Sequence, residues 1–290
     1  MPLIIFAHAN SFPASTYRVM FKSLRARGFT VKAIDKLGHD AAYPITNNWP
    51  HLAKQLADFG RTEIEAAGQP AWLIGHSLGG LLSLMVAARH SDLGGHRVQG
   101  LVLLDAPLIS GWKAGALQLA KAGPFIDRFS PARISNTRRT HWPSRDAALA
   151  HFAGKKAFAR WDERVLSDYI EHGMAADPKT GQWALCFERE VESRIYNTVP
   201  DNLEALLRRH PLHCPLHFIG GESSRELKQV GMDLTERLVQ RSGGSLTMAP
   251  GSHLFPMEQP VETASKIQEI VKSASSATGG GQPRARTASN

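Results

Sequence analysis

Between Ala71 and His90 the chain reads AWLIGHSLGGLLSLMVAARH, and few folds accept such a run. Ala71 to Ile74 is an apolar stretch of strand length, and Leu78 to Arg89 has the composition and span of a buried helix. Ser77 therefore falls on the turn between strand and helix. A sharp turn there puts the serine in strained backbone space and projects its hydroxyl from the carboxyl end of a sheet, so the residues two before and two after must be small. Gly75 and Gly79 meet that need.

Strand-like runs recur: PLIIFAHA from residue 2, FTVKAID from 29, AWLIGH from 71, VQGLVLLDA from 98, PLHFIGG from 215 and SLTMAPG from 245. Helical patterns lie between most of them, among them TYRVMFKSLRARG, which ends on a glycine stop, and WPHLAKQLADFGRTEIEAAG. The alternation predicts an α/β fold, a mostly parallel, doubly wound sheet of about six core strands. The core is expected over 1–110 and 211–274. Between them the rhythm breaks, and 111–210 reads as a mainly helical insertion over the carboxyl edge of the sheet. Trp112, Phe125, Phe129, Trp142, Trp161 and Trp183 supply it with apolar area, mostly for its own core and in part for a pocket. Residues 275–290 are small, polar and Gly-rich and read as a flexible tail.

With 290 residues, 42% of them hydrophobic, the chain is long enough to bury a full core. A formal net charge of +8 permits attraction to anionic surfaces. Yet no nucleic-acid module or aromatic-lined basic groove is recognisable, so nucleic acid is not an expected partner. The opening MPLIIFAHAN reads as a strand, too short and without the positive flank of a signal peptide or membrane span. Two cysteines far apart, Cys186 and Cys214, offer neither a disulfide framework nor a thiolate cluster, and point to a reducing, cytoplasmic setting. The run HPLHCPLH brings His210, His213, Cys214 and His217 close in sequence, but strand alternation splits them between faces, so no metal is expected.

A serine hydroxyl needs a base within hydrogen-bond reach, oriented by a third group. In a parallel sheet the useful positions are loops after strand carboxyl ends. His253, after the final strand, is the expected base. Asp105, ending LVLLDAP, and Glu222, in FIGGESS, are both placed to accept the imidazole N–H. The expected oxyanion donors are the Leu78 N–H, at a helix N-terminus, and the Asn10 N–H in HANSFPAS. His8 and His39 read as organisers of their loops.

Through GHSLGG at 75, HANSFPAS at 8, DKLGHD at 35 and GSHLFPMEQP at 251 the chain resembles the α/β-hydrolase superfamily, specifically its serine hydrolases with a cap. The likeness covers residues 2 to about 110 and 215–272, and the insertion stands where that superfamily carries its cap. It implies a sheet trimmed to about six strands, beginning at the superfamily's usual third. Two departures stand out. His8-Ala9 replaces the usual His-Gly, and Ser223 and Ser224 stand where the usual aspartate follows the penultimate strand. Some members carry the acid one strand earlier, at the position matched by Asp105, so the resemblance favours Asp105 over Glu222. A serine at 77 speaks against the members that use an aspartate nucleophile. The implied activity is hydrolysis of a carboxylic ester or related small acyl substrate through an acyl-enzyme, without cofactor or metal. The alternatives are a thioesterase or C–C bond hydrolase of the same fold, and a non-catalytic protein that binds a ligand in the capped pocket.

Overall fold

Each of the six apolar runs is a strand, and those at 3–7, 71–76, 100–104 and 216–221 are buried at every position, which is why they carry no polar alternation, whereas the two edge runs keep exposed residues. The computed structural model describes residues 1–122 and 138–279. In chain order the strands are β1 (Leu3–Ala7), β2 (Thr30–Ala33), β3 (Ala71–His76), a short hairpin of β4 (Asp92–Leu93) and β5 (His96–Arg97), β6 (Gly100–Leu104), β7 (His141–Trp142), β8 (Met174–Ala176), β9 (Trp183–Leu185), β10 (Leu216–Gly221) and β11 (Leu246–Ala249). The main sheet is parallel throughout, in the order β11-β10-β6-β3-β1-β2. Along β1 the side chains divide by period two, with Leu3, Ile5 and Ala7 in one cluster and Ile4 and Phe6 in the other. The same division separates Leu101 and Leu103 from Val102 and Leu104 in β6.

The helices are α1 (Arg18–Ala26), α2 (Pro50–Ala67), α3 (Leu78–Arg89), α4 (Gly111–Ala122), α5 (Arg145–Ala153), α6 (Glu163–His172), α7 (Arg189–Asn197), α8 (Leu203–Arg209), α9 (Arg225–Val230), α10 (Asp233–Ser242), α11 (Phe255–Glu258) and α12 (Pro260–Gly279). Helices α2, α3 and α10 cover one face, and α1 and α12 the other. Helix α2 starts on Pro50, whose missing N–H costs nothing at that position, and stops at Gly68, which takes the left-handed conformation (φ 60°). Topology then places the site. The chain runs from β1 outward to β2 and returns across β1 to β3, so the loops after β1 and β3 diverge and leave a crevice at the carboxyl edge.

The segment between β6 and β10 is not purely helical. Strands β7, β9 and β8 form a small antiparallel sheet, invisible to periodicity because each strand has only two or three residues. The aromatic residues of the segment also part company. Trp142 and Trp161 are buried and Trp183 is half-buried, whereas Trp112 is 79% exposed; Phe125 and Phe129 lie outside the described residues. The final helix runs through Gly279 instead of stopping at 274, since Ala, Ser and Thr do not break a helix before that glycine. The rest of the expected tail, 280–290, lies outside the described residues. No helix among the described residues is long and apolar enough to cross a membrane.

Candidate active site

The turn after β3 is sharp. Ser77 has φ 52° and ψ −114°, a conformation that costs a non-glycine residue about 1–3 kcal/mol and persists only where the surroundings enforce it. Close packing of α3 on β1 and β3 enforces it. A Cβ on Gly79 would lie 2.0 Å from the Ala7 carbonyl oxygen, and one on Gly75 would lie 2.1 Å from the Gly79 oxygen. The Ser77 N–H is taken by the Leu104 carbonyl at 3.0 Å, so the nucleophile candidate is tied to the strand that ends in Asp105.

From the Ser77 hydroxyl a continuous series of hydrogen bonds crosses three strand ends. Ser77 Oγ lies 3.0 Å from His253 Nε2, and His253 Nδ1 lies 2.7 Å from Asp105 Oδ1. Asp105 is fully buried in a left-handed conformation (φ 42°) that an aspartate tolerates. Its carboxylate also accepts the Gly221 N–H at 2.5 Å and the Ser224 hydroxyl at 2.7 Å. Acceptors on that carboxylate assign the imidazole proton to Nδ1 and leave Nε2 to accept from Ser77. Burial works against a charged His253, but the hydrogen bond and charge of Asp105, with the charge of Glu226, outweigh it and hold its pKa above the ordinary histidine value.

Of the two acids read from sequence, only Asp105 meets the imidazole. Glu222 is exposed, and its N–H pairs with the Ala249 carbonyl at 2.9 Å. Ser224, where the resemblance expected an aspartate, instead gives its hydroxyl to Asp105 and accepts the Leu227 N–H as the cap of α9.

Asn10 and Leu78 border the same cavity as Ser77 and His253, and neither N–H has an acceptor among the described residues. The side chain of Asn10 is occupied elsewhere. Its Nδ2 donates to the Glu192 carbonyl at 3.1 Å, and its Oδ1 accepts the Ser11 N–H at 3.1 Å. His8 holds the loop from below by donating from Nδ1 to the Ala9 carbonyl and accepting the Leu37 N–H at Nε2, both within 2.8 Å. Burial lowers its pKa to about 4, so it stays neutral. His39 similarly joins the Leu37 carbonyl to the Glu188 N–H.

The cavity above Ser77 measures about 390 Å³. Its walls are chiefly apolar, with Trp49, Leu81, Ile109, Leu117, Ile195 and Val199, and Glu226 is the single carboxylate among the described lining residues. The aromatic lining comes from Trp49 and Tyr196, and none of the insertion tryptophans reaches it. Sequence reasoning missed both. Trp49 had one local signal, its place just before a helix that begins with proline, where it adopts φ 54°. Among the described residues, no three His, Cys, Asp or Glu side chains converge on a metal position, the HPLHCPLH run included.

The sequence model of the alpha/beta hydrolase family matches residues 4–266. The chain belongs to that family. No curated protein matches this hydrolase in sequence. Among solved structures it is similar to an E-2-(acetamidomethylene)succinate hydrolase, with 22% identity over 93% of this chain and 91% of that one and a TM-score of 0.70. It is also similar to a thioesterase domain from the curacin biosynthetic pathway, with 16% identity, 92% and 91% coverage and a TM-score of 0.66. An esterase of M. tuberculosis follows, with 21% identity, 93% and 85% coverage and a TM-score of 0.65. At such identities the likeness establishes the fold of this hydrolase and leaves its substrate to be argued from the site.

Proposed function

We propose that this hydrolase is a serine esterase that cleaves a small, uncharged carboxylic ester through an acyl-enzyme, with residues 111–210 as the cap over its pocket. The observation that carries the reading is the unbroken series Ser77–His253–Asp105 at the foot of an apolar cavity. Ser77 Oγ attacks the ester carbonyl while His253 Nε2 takes its proton, and Asp105 stabilises the imidazolium. The N–H groups of Leu78 and Asn10 hold the oxyanion, and each such donor contributes about 3–4 kcal/mol to barrier lowering. The carbonyl–alkoxy bond then breaks, and His253 returns the proton to the departing alcohol. Water, deprotonated by the same imidazole, attacks the acyl-enzyme and releases the carboxylic acid and free Ser77.

The charge of the walls favours an ester over a dioxo acid. A substrate carboxylate would lie near Glu226 with no cation among the described lining residues to offset it. The test is intact mass after exposure to a fluorophosphonate, followed by rates on matched ester and thioester panels. Wild type is expected to gain one adduct and Ser77→Ala none, with esters turned over faster than thioesters. An unlabelled wild type would favour a ligand-binding role, and faster thioester turnover would make the protein a thioesterase.

A further inference from the structure

The residue before the nucleophile is a fully buried histidine that takes no part in the steps above. His76 Nε2 lies 2.8 Å from the carbonyl oxygen of His253, and His76 Nδ1 lies 2.7 Å from the hydroxyl of Tyr17, itself only 2% exposed. That hydroxyl also receives the Ala9 N–H at 3.1 Å. The direction of every bond in this chain is determined. The His253 carbonyl can only accept, so His76, kept neutral by burial, carries its one proton on Nε2 and donates it there. Its Nδ1 then accepts the Tyr17 proton, while the Tyr17 oxygen accepts the Ala9 N–H, which can only donate. Burial keeps both groups neutral, lowering the His76 pKa well below the ordinary value and raising that of Tyr17.

This hydrogen-bonded chain touches each of the three loops of the site. Ala9 precedes Asn10, an oxyanion donor; His76 precedes Ser77; and the last acceptor is the backbone of His253. Two side chains thus join the carboxyl ends of β1, β3 and β11, which share no direct strand pairing between β11 and the other two. We infer that Tyr17 and His76 are positioning residues: the hydrogen-bonded chain from Ala9 N–H to the His253 carbonyl sets the spacing of oxyanion donor, nucleophile and base. The inference rests on the esterase reading of Ser77 and His253. It goes beyond that reading because neither residue touches the reacting atoms. Without the Tyr17 hydroxyl the buried Nδ1 of His76 loses its donor, and the ring loses the contact that fixes its position between Ala9 and the His253 carbonyl.

The experiment compares wild type with Tyr17→Phe, His76→Leu and His76→Gln, the last keeping an N–H for the His253 carbonyl. Readouts are kcat and KM on p-nitrophenyl butyrate, the fluorophosphonate labelling rate, Tm, and ¹⁵N-histidine NMR. Tyr17→Phe is expected to lower kcat and the labelling rate by about 10- to 100-fold with KM within about twofold, the scale of a small misplacement of reacting groups. His76→Leu should lose more and His76→Gln should recover part of it. The acid limb of the pH profile should move down as His253 loosens from Asp105. In wild type, His76 should stay neutral through the pH at which an exposed histidine titrates and carry its proton on Nε2. Wild-type kcat in Tyr17→Phe would overturn the inference, as would losses that follow Tm alone with no recovery in His76→Gln, or an Nδ1-protonated His76. A wild type that fluorophosphonate does not label sinks the esterase reading itself, and the NMR tautomer still judges the hydrogen-bonded chain.

Discussion

Strands β6 and β10 are neighbours in the sheet, and each is followed by an acid, yet only one of the two acids reaches His253. After β6, the left-handed turn at Asp105 folds a short carboxylate inward, where Gly221, Ser224 and His253 saturate it. After β10, Glu222 pairs its backbone with β11 and leaves its side chain exposed, while Ser224 fills the inner position with a hydroxyl. The difference teaches that the acid position is shared between two strand ends. One end supplies the carboxylate and the other supplies the donors that hold it, so neither loop can be understood separately.

The largest effect should come from exchanging the acceptor itself. Asp105→Asn is expected to lower kcat by about 10⁴-fold, because the amide no longer selects the Nδ1–H tautomer of His253. The pH profile supplies the sign. A base must be neutral, and Asp105 and Glu226 hold the His253 pKa above 6.5 despite burial, so kcat/KM of wild type should rise through a pH above that value. In Asp105→Asn the midpoint should move down, and an unmoved midpoint would detach Asp105 from the base.

A smaller loss is expected from the supporting strand end. Ser224→Ala removes one donor to Asp105 and the cap of α9, and caps contribute about 1 kcal/mol to stability. We expect kcat about tenfold lower and Tm lower by about 2–4 °C by calorimetry. Unchanged kcat with the same drop in Tm would reduce Ser224 to a helix cap. Smallest of all, Glu222→Gln should leave kcat within about twofold of wild type, as exposed carboxylates away from a site usually do. A loss comparable to that of Asp105→Asn would reverse the comparison.

How much of this was legible in the sequence varies with the kind of force that shaped each part. The four inner strands could be read because burial on both faces demands unbroken apolar runs such as LIIFA and GLVLL, and the partly exposed edge strands β2 and β11 could be read from their place in the alternation of strand and helix. The turn at Ser77 could be read because glycines stand where a Cβ would meet backbone within about 2 Å. Strands β7 to β9 could not, since two- and three-residue strands carry no period. Nor could the aromatic lining of the cavity. Trp49 sits before an ordinary helix, yet its indole N–H reaches Thr198 Oγ1 at 3.0 Å and binds it to the far end of the insertion.

The sequence by itself determined the parallel sheet and the place of Ser77 on its turn, because both follow from local patterns of apolarity and small residues. Tertiary structure alone decided between Asp105 and Glu222, lined the cavity with Trp49 and Tyr196, and joined Tyr17 to His76 and the His253 carbonyl. Those outcomes depend on distances between strand ends that lie from 59 to 177 residues apart in sequence. Strand order and register set such distances, and no single segment carries that information.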